Sequence, residues 1–445
     1  MKRQRMGPET GPTRMYVRSV AITTFRFVLL AAASAATLPA QDSTRTQPID
    51  SLAERLRRAE EAIAALREQM VAEAASRVQA ASRVRVDLFG RVLMNAFSNS
   101  ARVNNADVPQ FALPTGGEQE AGGGTIRQTS FGLSIFVERV LGGRFEGELH
   151  TDFYGGQQPS TGGRRFPLLR IRTAHGTVRW QRGELLAGQF DPLVGGLNPV
   201  SVQSFGTPEF TAAGNLWLWL PQLRGTWEIW APAGLALQGA VLAPTSGDAM
   251  LPFDTAPDSA ELSGRPYLQG RLRVRWGGGG GDGAPGGGRA GEIGVGVHRG
   301  WLRRSNGALV TSEMVGADAL IPLGRFVELR GEVYAGRALR GLGGGGVGQG
   351  VTATGEPVKD RGGWGQVELH PDTRWSLGAG CGVGDPRADS PLPAGRLKNR
   401  TCETHVTLRP DGPVVVSLGW RQQVTTYATG DMRNRHLNAG IGFEF

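Results

Sequence analysis

From Val84 to the end of the chain, apolar side chains recur at every second position. In Met432 to Phe445 the odd positions Leu437, Ala439, Ile441, Phe443 and Phe445 are apolar, while His436, Asn438, Gly440, Gly442 and Glu444 are polar or lack a side chain. Period two places one set on each face of a strand, so one face suits hydrocarbon and the other water. Val84, Val86 and Leu88 alternate in the same way with Arg85, Asp87 and Phe89, and Phe131, Leu133, Ile135 and Val137 with Ser130, Gly132, Ser134 and Phe136. The pattern recurs in about sixteen segments, the first near 84–97 and the last at 432–445, which predicts an all-β, 16-stranded antiparallel transmembrane β-barrel over 84–445.

The connections carry an independent signal. Leu141-Gly142, Gln181-Arg182, Ala231-Pro232-Ala233, Pro322-Leu323-Gly324, Pro371-Asp372-Thr373 and Pro410-Asp411-Gly412 read as tight turns. Between them lie long segments, notably 98–126, 154–167, 191–221, 243–265, 339–360 and 385–397. Short turns at one end and long loops at the other is the layout of an outer-membrane barrel. Two connections depart from it: the glycine-rich 277–289 is long for a turn, and 304–308 is short for an outer loop. The ten tryptophans mostly fall near predicted strand ends, where an interfacial girdle would put them.

Upstream of Val84 the periodicity is different. Phe27 to Leu38 is the one continuous apolar run, preceded by Lys2, Arg3, Arg5, Arg14, Arg18 and Arg26 and followed by Ala40-Gln41, so 1–40 reads as a secretory signal peptide, with translation starting at Met1 or Met15. After a linker at 41–48, Ile49, Leu52, Leu56, Ala59, Ile63, Leu66 and Met70 alternate spacings of three and four. That is a heptad seam, and it predicts a periplasmic coiled-coil helix over 49–83. Three heptads are marginal alone, so the helix is expected to pair with copies of itself.

Composition adds little beyond this. Removing 1–40 takes away six basic residues and Glu9, and the formal charge falls from +9 to +4, which weakens any case for nucleic-acid binding. The two cysteines, Cys381 and Cys402, sit on neighbouring predicted strands around a hairpin centred near residue 391. They are either a cross-strand disulfide or two small residues on the apolar face. No hydrolase or metalloprotease motif occurs, and the six histidines show no metal-ligand spacing, so neither a cofactor nor a metal is expected.

A set of motifs resembles a known family. Arg85-Val86-Asp87-Leu88-Phe89-Gly90, Asn99-Ser100-Ala101-Arg102, Arg127-Gln128-Thr129-Ser130-Phe131-Gly132, Phe145-Glu146-Gly147-Glu148, Leu169 to Gly176, Leu186 to Phe190 and Leu220 to Arg224 are similar to the trimeric DcaP-like porins, and more loosely to the phosphate-selective porins. The resemblance is clearest from the coiled coil to about residue 230. It implies a homotrimer joined through the barrel wall and the coiled coil, passing small anionic solutes such as dicarboxylates or phosphate. The aromatic Phe445 resembles the signal read by the barrel-assembly machinery. The scarcity of lysine, only Lys359 and Lys398 after the leader, departs from the phosphate-selective group, which lines its channel partly with lysines.

The expected chemistry is charge arranged along a wet path. Strand parity points Arg85, Arg91, Arg170, Arg172, Arg224, Arg271, Arg273 and Arg275 inward, with Leu272 and Val274 outward. Such a row could pass an anion from one guanidinium to the next, or it could be neutralised by Glu146, Glu148, Asp152, Glu228, Glu328, Glu332 and Glu368. The third long loop, with Asp191, Phe205 and Glu209, stands where a constriction would form. Two other readings stay open: a structural anchor or adhesin with a plugged barrel, and a barrel-borne hydrolase.

Overall fold

The computed structural model describes residues 57, 60, 63, 64 and 84–445, apart from 115–119, 157–166, 248–255, 278–289 and 345–348. Arg57, Glu60, Ile63 and Ala64 are helical. The expected signal peptide, linker and remainder of the coiled coil lie outside the described residues.

The strands are β1 (Val84–Asn99), β2 (Ala121–Thr125), β3 (Ser130–Val140), β4 (Gly143–Asp152), β5 (Arg170–Arg179), β6 (Gly183–Phe190), β7 (Leu220–Trp230), β8 (Leu235–Leu242), β9 (Tyr267–Trp276), β10 (Gly291–Arg303), β11 (Leu309–Leu323), β12 (Val327–Arg337), β13 (Lys359–Leu369), β14 (Trp375–Arg387), β15 (Arg396–Leu408), β16 (Val414–Tyr427) and β17 (Gly430–Glu444). The lower half of β1 pairs with β3, from Val84↔Val137 to Arg91↔Ser130, and its upper half with β2, from Asn95↔Thr125 to Asn99↔Ala121. β2 and β3 are therefore two halves of one position, and the wall has sixteen. On its other edge β1 pairs with β17, from Arg91↔Glu444 to Asn99↔His436. Gly90 and Phe445 exchange backbone hydrogen bonds of 2.9 and 3.0 Å, so the final residue completes the closure.

Closure matters because a strand edge left open in hydrocarbon would expose a row of unpaired N–H and C=O groups. With the wall sealed, side chains sort by parity. On β9, Arg271 is 7% exposed while Leu272 and Val274 are 47% and 40% exposed on the outside. Outward Leu88, Met94, Ile135, Leu223, Val295, Val315, Val333, Leu418 and Ile441 continue an apolar band around the barrel.

One detail differs from the sequence reading. β11 runs on to Leu323, so Pro322 and Leu323 belong to the wall and the turn is 324–326. Pro322 is the second-to-last residue of the strand, opposite Glu328 and beside the turn. The expected exception at 304–308 is real and tight, with Arg304 N–H bonded to the Ala308 carbonyl at 2.8 Å.

Inside, the upper barrel is packed rather than hollow. Leu193, Val194 and Leu216 of the connection 191–219 are buried with Leu242, Tyr267, Met314, Tyr334, Leu339 and Leu342. This apolar cluster joins that loop to the inner faces of β8 to β12. Cys381 and Cys402 are directly opposite in register on β14 and β15 and are disulfide-bonded across the outer face.

Two outcomes are expected. Leu272→Arg, which puts a guanidinium on the hydrocarbon face at mid-strand, should cost about 2–4 kcal/mol of unfolding free energy in lipid vesicles; an unchanged value would contradict the outward placement. Alkylation of the unfolded protein should add mass at Cys381 and Cys402 only after reduction, and labelling without reductant would contradict the bond.

Candidate functional site

The interior face of the wall is rich in Asn, Gln and Thr, whose side chains need hydrogen-bond partners when water is displaced. The loops supply them. Gln269 on β9 accepts from the Leu193 N–H at 2.8 Å; Gln366 on β13 accepts from the Val200 N–H and donates to its carbonyl, both at 2.8 Å. Gln128 donates to the Gln203 carbonyl at 2.6 Å and accepts from the Gly206 N–H at 2.8 Å. Asn399 on β15 donates to the Ala212 carbonyl at 3.0 Å. Loop 191–219 thus crosses the interior, held by strands on opposite sides of the barrel.

Glycine makes the room for it. A Cβ at Gly382 on β14 would lie 2.2 Å from the Ala213 carbonyl oxygen, so the loop backbone seats where the strand has no side chain. Two strands on, the loop's Glu209 is buried and ion-paired with Arg421 of β16, whose guanidinium also donates to the Ser204 hydroxyl and, at 2.6 Å, to the Pro109 carbonyl. That last contact brings in the first loop. Ala112 is bound through its N–H by Thr425 at 3.0 Å and through its carbonyl by the Tyr427 hydroxyl at 2.8 Å, so the first loop also folds inward, against β16.

The predicted arginines fall into two groups. Arg91 lies over the Phe205 ring at 4.5 Å and Arg172 over the same ring at 3.9 Å. Arg170 and Arg172 share Asp152, at 2.7 and 3.2 Å, and donate to the Gly206 and Phe205 carbonyls. These three therefore clamp the tip of the loop. Arg85 stands apart near the start of β1, paired with Asp87 at 3.0 Å.

Arg224, Arg271, Arg273 and Arg275 form the second group, and they line an open cavity of about 620 Å³ between β7–β12 and the loop segment Asp191 to Leu197. Glu292, Asp318 and Glu328 line it as well. Arg271 is not free within it: it pairs with Asp318, with Glu292 at 2.7 Å, and donates to Gln238 at 2.9 Å, lying flat over Gly294. Arg273 shares Glu292 at 3.4 Å, and Glu328 is taken by Arg330. Arg224 donates to Gln222 at 3.1 Å and to the Asp191 carbonyl. Arg275 is exposed and makes no ion pair among the described residues. Of the acids weighed as neutralising partners, Glu146, Asp152 and Glu328 hold arginines, while Glu368 faces His405 at 3.3 Å and Glu332 is buried.

Asp191, the first residue after β6, lines this cavity. Its burial pushes its carboxyl up to about 6, against the opposing pull of Arg172 and Arg224. At neutral pH it is largely ionised, and below pH 6 it becomes neutral while the arginines keep their charge.

The inward first loop, the Arg421–Glu209 anchor and the glycine seat on β14 were not foreseen from the sequence. A legible signal existed in Leu377-Gly378-Ala379-Gly380-Cys381-Gly382-Val383-Gly384, where every inward position lacks a side chain.

The fold can be set beside known proteins. No protein family matches the chain, and no curated protein does. Solved structures do: the outer-membrane channel DcaP of Acinetobacter baumannii superposes with a TM-score of 0.60 at 14% identity, covering 82% of this chain and 99% of that one. An anion-selective porin from Comamonas acidovorans gives 0.53 at 10% identity, covering 81% and 100%. OmpF of Salmonella typhi, in complex with daunomycin, gives 0.50 at 11%, covering 82% and 99%. The chain has the fold of outer-membrane porins.

Asp191 should titrate near pH 6 in a carbon-13 carboxyl NMR experiment on the detergent-solubilised protein, and Arg224→Gln should move the midpoint higher by removing a cation that favours the ionised form. A midpoint near the ordinary value of about 4 in both proteins would contradict the burial of this carboxyl.

Proposed function

We propose that the protein is a passive diffusion channel of the Gram-negative outer membrane for small hydrophilic solutes, with a preference for anions of the dicarboxylate or phosphate type. The observation that carries this reading is the cavity beside loop 191–219. Arg271 and Arg273 are balanced there by Asp318 and Glu292, and Arg224 works against the Asp191 carboxylate, which leaves Arg275 as the exposed positive charge facing the solute path. A fixed, partly dehydrated guanidinium binds carboxylate or phosphate oxygens in two-pronged fashion. The anion step therefore runs through Arg275, with Arg224 beside it set against Asp191 and Arg271 as a structural member of the wall. Sharing its fold with a porin described as anion-selective supports the same direction.

The loop spanning Asp191, Phe205 and Glu209 acts as the constriction, since it narrows the interior to the β7–β12 side. Trimers form through the barrel wall and the 49–83 coiled coil in the periplasm, and Phe445 is read during assembly. A plugged anchor is the second reading, favoured by the inward folding of both the first and third loops.

In planar bilayers the protein should give discrete conductance steps, and a salt gradient should give an anion-selective reversal potential. Deleting 200–212 should raise single-channel conductance. Arg224→Gln with Arg275→Gln should move the reversal potential toward cations, while an unchanged potential would remove these residues from the path. Absence of any conductance would favour the plugged anchor.

A further inference from the structure

The outward face of the wall carries charge in one sector and at one end. On the loop-proximal half of β1 to β9 the outward positions are uncharged, as at Met94, Leu149, Ile171, Leu223, Val241 and Leu268, all exposed. Across β10 to β14 the same level is different. The register sets Arg299 opposite Glu313, Glu313 opposite Arg337, Arg337 opposite Lys359, and Lys359 opposite Arg387. Five adjacent strands therefore present one transverse line with four cations and one carboxylate.

The acids available do not neutralise it. Glu313 is divided between Arg299 at 3.5 Å and Arg337 at 2.7 Å. Asp385, one step below the line on β14, is divided between Arg361 at 2.8 Å and Arg387 at 2.9 Å. Lys359 has no ion pair among the described residues, although the Glu356 carboxyl feels its charge, and it stands directly between two arginines. Like charges directly opposite on neighbouring strands oppose pairing, and their side chains here are 43% to 63% exposed rather than folded away. Further along the same end, Arg400 on β15 and Arg433 and Arg435 on β17 also face outward with high exposure.

We propose that this line is a docking surface for a multiply phosphorylated lipid headgroup in the leaflet at the loop end of the barrel. Its level on the strands fits a headgroup rather than the acyl chains, because outward Val295, Val297, Val315 and Val333 lie directly below it. The spacing fits a polyanion: neighbouring strands stand about 4.8 Å apart, so Arg337, Lys359 and Arg387 can engage separate oxygens of closely set phosphates. Surface charge attraction to anionic lipid adds to the apolar contact below it. The inference rests on the membrane reading of the barrel but not on its solute preference.

The test is binding of bisphosphorylated lipid A to the purified full-length protein in detergent, followed by native mass spectrometry. Wild type should retain the lipid. The triple variant Arg337→Gln, Lys359→Gln, Arg387→Gln, which leaves Glu313 its Arg299 and Asp385 its Arg361, should bind about 100-fold more weakly. Dephosphorylated lipid A should bind both proteins weakly, and an equal concentration of inorganic phosphate should not displace the lipid. Lys359→Gln alone should show a loss of about fivefold if the triple variant folds poorly. Equal binding by wild type and variants, equal binding of the dephosphorylated lipid, or displacement by inorganic phosphate would each overturn the proposal. Bilayer conductance of the variants reports separately on the barrel, and should be that of wild type because none of the three residues faces the interior.

Discussion

Hydrocarbon offers no hydrogen bonds, so each backbone N–H and C=O of a spanning segment must find its partner within the protein. A sheet meets that demand only by closing on itself. Here closure falls on a single strand, β1, which pairs along its length with three others and takes the chain's last residue at Gly90. Once the wall is sealed, the choice of side chain at each position reduces to which of two solvents it meets. The alternation on β9, with arginines inside and Leu272 and Val274 outside, is that choice made at its most unequal cost.

The interior obeys a second version of the same rule. Loops that enter the barrel bring backbone groups out of bulk water, and those groups need partners too. The inward Gln128, Gln269, Gln366, Asn399 and Arg421 supply them, each from a different part of the wall. Loop placement is consequently distributed over many modest bonds, with apolar clusters against β8 to β12, at Val202 with Leu93 and Val415, and at Phe210 with Trp364, and a buried ion pair at Glu209. What is left open is the space beside β7 to β12, and its charge is set by which arginines the neighbouring carboxylates have already claimed.

The wall was legible in the sequence because period two is a local property: each strand states its own faces without reference to its neighbours. Sixteen segments, most of the tight turns and the Cys381–Cys402 juxtaposition follow from that and from hairpin connectivity. The split of the second position into β2 and β3 was not legible, since Ala121-Gly122-Gly123-Gly124-Thr125 carries no alternating face. Nor was the fate of each arginine. Parity shows that Arg271 points inward, but its capture by Asp318 depends on a residue two strands away, across a glycine that lets the side chain lie flat. Ion pairing of that kind belongs to the closed barrel, not to any one segment.

Spin labels placed singly along β9, from position 268 to 276, measure the division of solvents most directly. Accessibility to molecular oxygen should peak at 268, 270, 272 and 274 and accessibility to a water-soluble nickel chelate at 269, 271, 273 and 275, out of phase with period two. Accessibilities that rise and fall together along the strand, or peak with a period near 3.6, would contradict a wall with water on one side and hydrocarbon on the other.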